Sequence, residues 1–433
     1  MLCLSTRGNA AAVPLHQAII EGIAPDGGLY LPEHIPQINV AALLGSATYQ
    51  QAALQVMRPF FLDEILSERL PGMIERAFSF SIPLKTLNTQ NDFLLELFHG
   101  PTSAFKDVGA RFLAECFSAI PANNKTRTIL VATSGDTGGA VAAAFHQQKN
   151  VRVIVLFPDG GVSARQAHQL GCFGDNIHSY RVQGNFDDCQ RLVKAAFADA
   201  SLSEKYALTS ANSINLGRLL PQMSYYAWAA VQYAKQNNNK NALNFIIPSG
   251  NLGNAFAAIL ARAAGVPIGD IVLATNANHV LSDFFDTGQY SPSDSLSTLA
   301  NAMDVGAPSN LERLRYLYPD QKIHQAILKI ESVGDDEIRR TIPVTLDNYN
   351  EVICPHTACG MVALERLRDA GEKRDWCVVA TAHPAKFETV VEPLLHRAIA
   401  VPEALQQLLD RPTFAATLAP DLNALEAVLV TTR

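Results

Sequence analysis

Basic charge, long apolar runs and an ordered cysteine pattern are all missing from this chain, and each lack removes a class of function. Its 433 residues hold 34 Lys and Arg against 41 Asp and Glu, a net charge of −7. That balance argues against a nucleic-acid partner, which normally meets a basic surface. No apolar run approaches the ~18 residues needed to cross a bilayer. The opening MLCLSTRGNAAAV lacks the basic stretch and apolar segment of a secretory signal. The expectation is a cytoplasmic protein with no membrane partner. The seven cysteines, Cys3, Cys116, Cys172, Cys189, Cys354, Cys359 and Cys377, are odd in number and scattered. They suit reduced, small buried thiols better than a disulfide framework. The GxGxxG fingerprint of dinucleotide binding is missing too.

What is present is the composition of an ordinary globular enzyme, 48% apolar and long enough for two lobes. Strand, glycine-rich turn and helix recur in that order. TILVAT runs into TSGDTGG and AVAAAFHQ between Thr128 and Gln147. NFIIP then runs into SGNLG and NAFAAILARAAG, whose Phe256, Ile259, Leu260 and Ala263 share one helical face. WCVVA, Trp376 to Ala380, enters a turn from Thr381 to Lys386 and then FETVVEPLLHRA. Such units predict an α/β fold of parallel or mostly parallel sheets flanked by helices, with ligands bound beyond the carboxyl ends of the strands. The first 80 residues, Gly/Pro-rich around DGGLYLPEHIP and then mainly helical, form an N-terminal segment. The tail after Val401 reads as helical, interrupted by Pro412 and Pro420, and the Gln236 to Asn241 run reads as a surface loop.

Lys106 follows a Gly-Pro turn, stands beside Phe105 and precedes a helical pattern. Apolar surroundings would favour the neutral amine that a Schiff-base lysine needs, although a solvated, ion-paired lysine has the same local sequence. Gly100 to Lys106 nearly spells a nucleotide phosphate loop. It fails at Phe105, where a glycine is needed, and at Asp107, where Ser or Thr would hold magnesium. Two turns could each accept an anion or be ordinary strand-to-helix turns: Ser249 to Asn254, and Thr133 to Gly139 with hydroxyls at Thr133, Ser134 and Thr137. Cys354, His356 and Cys359 lie close together, but no second ligand pair accompanies them, so helix-start packing is expected rather than a metal site. His99 and His383 each precede a turn, and spacing gives them no role.

STRG (Ser5 to Gly8), APDGGLYLP, FHGPTSAFKD, ATSGDTGGAVAAAF, SANSINLGRLLPQ, NAMDVGAPSN, PSGNLGN and ATAHPAKF together resemble the threonine synthases, within the tryptophan-synthase-β-like group, over nearly the whole chain. The resemblance implies a two-lobed fold type II enzyme of pyridoxal 5'-phosphate. Its large lobe would comprise residues 81–125 and 215–400, its small lobe 126–214, with the N-terminal segment 1–80 and a helical tail 401–433. It implies Lys106 as the catalytic, cofactor-bearing lysine and Gly250, Asn251, Leu252, Gly253 and Asn254 as the cofactor-phosphate loop. Thr381 would face the pyridine nitrogen. Thr133, Ser134, Gly135 and Thr137 would take the substrate carboxylate, and Asp136 stands beside the ring oxygen where many relatives of the fold group have Asn. Asn212, Ser213, Asn215 and Arg218 would hold the substrate phosphate.

The reaction so implied is β,γ-replacement on O-phospho-L-homoserine, giving threonine and phosphate. The partner is a small molecule, and the enzyme a monomer or small homo-oligomer. In SARQAHQLG the resemblance weakens, so Arg165 and His168 receive no role. The alternatives are another enzyme of the group, such as a serine/threonine dehydratase or cysteine synthase, and a non-catalytic binder of amino-acid phosphates. A metal-dependent hydrolase built on Cys354, His356 and Cys359 stands further off.

Overall fold

Val151–Pro158 (VRVIVLFP) is buried at every position, as a strand covered on both faces must be. The computed structural model, which describes residues 1–87, 91–121, 126–237, 241–319 and 322–431, sets this strand inside a five-stranded parallel sheet. The order is Ala416–Leu418, Ile177–Val182, Val151–Pro158, Arg127–Ala132, Leu208–Thr209. A six-stranded sheet runs Lys329–Ser332, Ile268–Thr275, Leu243–Pro248, Trp376–Ala380, Asp92–Glu96, Leu84–Thr86. Its strands are parallel except for the edge strand Leu84–Thr86. Half of the Gln236 to Asn241 run, residues 238–240, lies outside the described residues.

Three expectations need amendment. The turn-rich start also makes a small antiparallel sheet, Val13–Pro14, Leu2–Ser5 and Tyr30–Pro32. The tail carries helices Glu403–Leu409 and Leu422–Thr431 but also the strand Ala416–Leu418, which pairs with Ile177–Val182. Helix Gly253–Ala263 does not present a single apolar face: it is buried all round from Gly253 to Ala261, and Ala263 is only half-buried. Its alanines let it lie close to strand Ile268–Thr275 and helix Met223–Gln236.

The N-terminal segment packs onto helix Lys106–Ala119. Phe61 meets Phe112 edge-on at 5.8 Å, and Phe78 stacks on the same ring at 6.1 Å. Burying each such side chain contributes about 1.5–3 kcal/mol. This segment therefore braces the helix that begins with Lys106. All seven cysteines are free and buried. Among the described residues no helix is long and apolar enough to cross a membrane.

Candidate active site

Strands Asp92–Glu96, Arg127–Ala132, Leu243–Pro248 and Trp376–Ala380 release their chains toward one cleft, as parallel sheets do at their carboxyl ends. The cleft is lined by Lys106, Thr133, Ser134, Asp136, Thr137, Asn212, Ser213, Arg218, Gly250 to Asn254 and Thr381. Gly135 stands behind this lining with φ +126°, and a Cβ there would lie 2.6 Å from the Gln166 amide. Glycine is needed at that position both for the backbone angle and for the space.

Lys106 opens its helix, and the turn before it is tied to the turn after Trp376–Ala380. The Phe105 N–H donates to the Thr381 carbonyl at 2.8 Å, and Ala104 bridges Ala382. Burial lowers the Lys106 amine to about 8, against the opposing pull of Asp136, with Lys386 and Arg218 adding to the lowering. An amine so placed is neutral in part at physiological pH, as a nucleophile or proton acceptor must be. Its Nζ lies 3.8 Å from Asp136 Oδ2. The other oxygen of Asp136 accepts from Lys386 Nζ at 2.8 Å and from Gln166 Nε2 at 3.1 Å. Burial alone would raise the Asp136 carboxyl, but Lys386, Lys106 and His356 outweigh it and hold the group well below the carboxylate range.

The Ser249 to Asn254 turn is shaped for an anion. Leu252 adopts the left-handed conformation (φ 62°) at the start of helix Gly253–Ala263, and a Cβ on Gly250 would come within 2.7 Å of the Met303 backbone. Tyr225 and Tyr226 donate to Asn254 Oδ1 at 2.5 and 2.7 Å, while Asn254 Nδ2 finds no partner among the described residues. Asn251 is fixed on both sides, its Nδ2 donating to Ser213 Oγ at 2.9 Å and its Oδ1 accepting from Ser309 N–H. Asn310 Nδ2 donates to the Asn251 carbonyl at 2.9 Å, and Arg313 donates to Asn310 Oδ1 and to the carbonyls of Ile214 and Tyr30. Ser309 and Asn310, at the end of NAMDVGAPSN, thus brace the turn from outside. Buried N–H groups at a helix start, an amide donor left open and a glycine pressed against backbone fit a phosphate-bearing cofactor.

Across the cleft, Arg218 is 2% exposed and its Nε has no partner among the described residues, although a terminal nitrogen donates to Ala211 O. Burial lowers it to about 10, so it is charged at neutral pH. A buried guanidinium with an open donor suits a phosphate. Asn212 and Ser213 reach the same cleft, but Asn215 does not. Its Oδ1 caps helix Leu216–Leu219 through Gly217 N–H, and its Nδ2 donates to Ile19 O and Ser210 O. With its amide fully committed, Asn215 serves to tie the N-terminal segment to the Arg218 helix.

Two groups at this site are not marked by the sequence. Lys386, buried behind the cleft lining, is given no role by ATAHPAKF, although a lysine just beyond a strand and a proline turn repeats the setting of Lys106. His356 packs at the start of helix Pro355–Asp369, as expected, but also lines the cleft, with Nε2 accepting from Ala302 N–H at 3.0 Å. Cys359 turns back to donate to Pro355 O, and Cys354 lies 3.9 Å from His356 Nδ1. Among the described residues no group of three or more His, Cys, Asp or Glu is placed to hold a metal ion. Arg165 bonds Ala385 O and pairs with Glu392 at 3.3 Å, and His168 bonds Arg411 O. His99 pairs with Glu96 at 2.7 Å, and His383 accepts from Ala385 N–H.

Burial lowers both His356 and His383 to about 4 from 6.5. Between those values the unfolded chain binds protons that the folded chain refuses, so stability is complete above pH 6.5 and declines toward pH 4. His356 contributes about 3 kcal/mol of that decline and the less buried His383 a smaller share. Urea-unfolding midpoints should fall over this window, and less steeply in His356→Gln. An equal slope in the variant would show that His356 is not a source.

A family model described as "Pyridoxal-phosphate dependent enzyme" matches residues 82–384, "Threonine synthase N terminus" matches 3–78, and "Threonine synthase, C-terminal" matches 357–429. A threonine synthase of Buchnera aphidicola is 37% identical, covering 99% of this chain and 100% of the relative. The crystal structure of threonine synthase from Escherichia coli superposes with a TM-score of 0.93 at 35% identity, each chain covered in full. A PLP-bound threonine synthase structure from Brucella melitensis gives 0.89 at 33% identity, covering 100% of this chain and 99% of the other. A buried, partly neutral lysine beside a glycine-bearing turn with an open amide donor, in a chain matched from end to end by such relatives, makes this protein a member of the pyridoxal-phosphate-dependent threonine synthase family.

Proposed function

We propose that this cleft converts O-phospho-L-homoserine and water to L-threonine and phosphate, with Lys106 carrying pyridoxal phosphate and moving the protons. The observation that carries this reading is the position of Lys106, whose burial favours the free amine, between two groups of anion-ready donors. The cofactor, when bound, supplies an electron sink that acidifies the substrate's α- and β-hydrogens.

The residues divide the remaining work. Gly250, Asn251, Leu252, Gly253 and Asn254 would hold the cofactor phosphate, and Thr381 would face its ring nitrogen. Thr133, Ser134 and Thr137, with the N–H groups opening helix Asp136–Phe145, would orient the substrate carboxylate. Gly135 would let that loop close in. Arg218, Asn212 and Ser213 would grip the substrate phosphate. Lys106, as a free amine, would take the α-proton as general base and then relay the β-proton. Phosphate leaves the γ-carbon toward Arg218, water adds at the β-carbon, and protons return to the α- and γ-carbons. The small, doubly anionic substrate fits a cytoplasmic enzyme acting alone or as a small homo-oligomer, without membrane or nucleic-acid partners. The parts of the chain we read as lobes are the N-terminal segment 1–80, a large lobe of 81–125 with 215–400, a small lobe of 126–214, and a tail that lends the small lobe a strand.

The test is to follow threonine and phosphate from O-phospho-L-homoserine while recording the visible spectrum of the same sample. Equal yields with a cofactor band are expected. A band with inert phosphohomoserine would move the reading to a dehydratase or thiol-transfer enzyme.

A further inference from the structure

Two lysines share the Asp136 carboxylate at the wall of this cleft, one from inside and one from behind, and they share it unequally. Lys386 is completely buried, and its Nζ donates to Asp136 at 2.8 Å and to the Thr102 carbonyl at 2.8 Å. Thr102 is itself fixed, with its N–H and hydroxyl both donating to Asp107 at 2.9 and 2.7 Å. On the backbone, the Lys386 carbonyl accepts from Ser163 Oγ at 2.7 Å and its N–H donates to His383 O. Held in this way, the ammonium has a single placement. Lys106, 3.8 Å from the other oxygen of Asp136, is the looser partner, and it faces the open cleft while Lys386 does not.

A buried carboxylate stabilises the charged form of the cation beside it. With Lys106 as its sole partner, Asp136 would hold that amine as ammonium, unable to attack or to accept a proton. A second cation on the same carboxylate reverses this, because it absorbs the negative charge and repels a further positive one. We propose that Lys386 is a positioning residue for the amine chemistry: by claiming Asp136 it leaves Lys106 free. The proposal rests on the reading of Lys106 as the cofactor-carrying amine.

The other groups around Lys106 act in the same sense or stand aside. Arg218 adds repulsion, the His356 imidazole is neutral above about pH 4, and burial keeps the Cys354 thiol protonated. Asp107, on the Lys106 helix, is occupied by Thr102, and His383 is a neutral ring at physiological pH. Beyond burial itself, Asp136 and Lys386 are therefore the charged pair that bears most directly on Lys106.

The experiment uses the full chain after removal of its cofactor, and measures against pH how fast added pyridoxal phosphate develops its visible band. Acylation of the Lys106 peptide, read by mass spectrometry, gives the same profile without any cofactor. The wild-type rate should rise with pH through about 8. In Lys386→Met the midpoint should move alkaline by about one pH unit, slowing capture roughly tenfold near neutrality, while Lys386→Arg keeps the wild-type profile. Asp136→Asn should move it acidic, and the double variant Asp136→Asn/Lys386→Met should return it toward wild type, which a merely structural lysine would not do. A folded Lys386→Met with an unmoved profile overturns the proposal. If that variant does not fold, Asp136→Asn decides, and an unmoved or alkaline midpoint overturns it. Covalent capture by Lys106→Ala would instead overturn the reading of Lys106 itself.

Discussion

Replacing Lys106 by alanine is expected to leave a folded protein that has lost activity by about 10³-fold or more, since nucleophile and proton shuttle vanish together. Folding should survive because Lys106 occupies the first position of its helix and makes no hydrogen bond there that alanine would forfeit among the described residues. Removing it also relieves the cost of burying an amine. Near-UV circular dichroism should match wild type, and the melting temperature should hold or rise. The visible band of the protein-bound cofactor should be gone. Arginine at the same position should be as inactive, because its guanidinium cannot be deprotonated in water. A Lys106→Ala protein with wild-type turnover would mean that another group, with Lys386 the first to examine, performs the chemistry.

Arg218→Lys tests the opposite side of the cleft. A lysine keeps the charge but loses the planar fork and the Nε donor, which together make guanidinium selective for phosphate. One charge-assisted hydrogen bond contributes about 1.5–3 kcal/mol, so kcat/KM for phosphohomoserine should fall about 10- to 100-fold. Inhibition by inorganic phosphate should weaken by a similar factor. The swap also removes the bond to Ala211 O, and Gly109 packs against the arginine, so a melting curve must accompany the kinetics. Undiminished phosphate inhibition in a folded variant would remove Arg218 from the phosphate site.

Much of the fold was legible because its strand-turn-helix units are local. Residues 128–147 and 244–265 each put an apolar run, a glycine turn and a helix in sequence, and the structure forms all three parts in both places. The turns carrying Lys106, Thr133 and Gly250 could be picked out for the same reason. What stayed hidden depends on contacts between distant segments. Strands of two to four residues, such as Val13–Pro14 and Ala416–Leu418, show no periodicity. Lys386 has meaning only beside Asp136, far away in sequence, and nothing within ATAHPAKF announces a completely buried ammonium. Asn215 illustrates the reverse failure. Placed between Asn212 and Arg218 it reads as a ligand, yet an amide serves a helix cap equally well, and here both its atoms do structural work.

The pairing of Ala416–Leu418 with Ile177–Val182 also dictates when this protein can finish folding. During synthesis the strand that completes the sheet is made last, long after every other strand of that sheet, the latest of which is Leu208–Thr209. Until it arrives, the Ile177–Val182 edge offers bare N–H and C=O groups to any neighbouring chain. A newborn molecule is therefore most prone to cling to its siblings in the interval before Ala416–Leu418 arrives, and a chain lacking that strand would stay in that state.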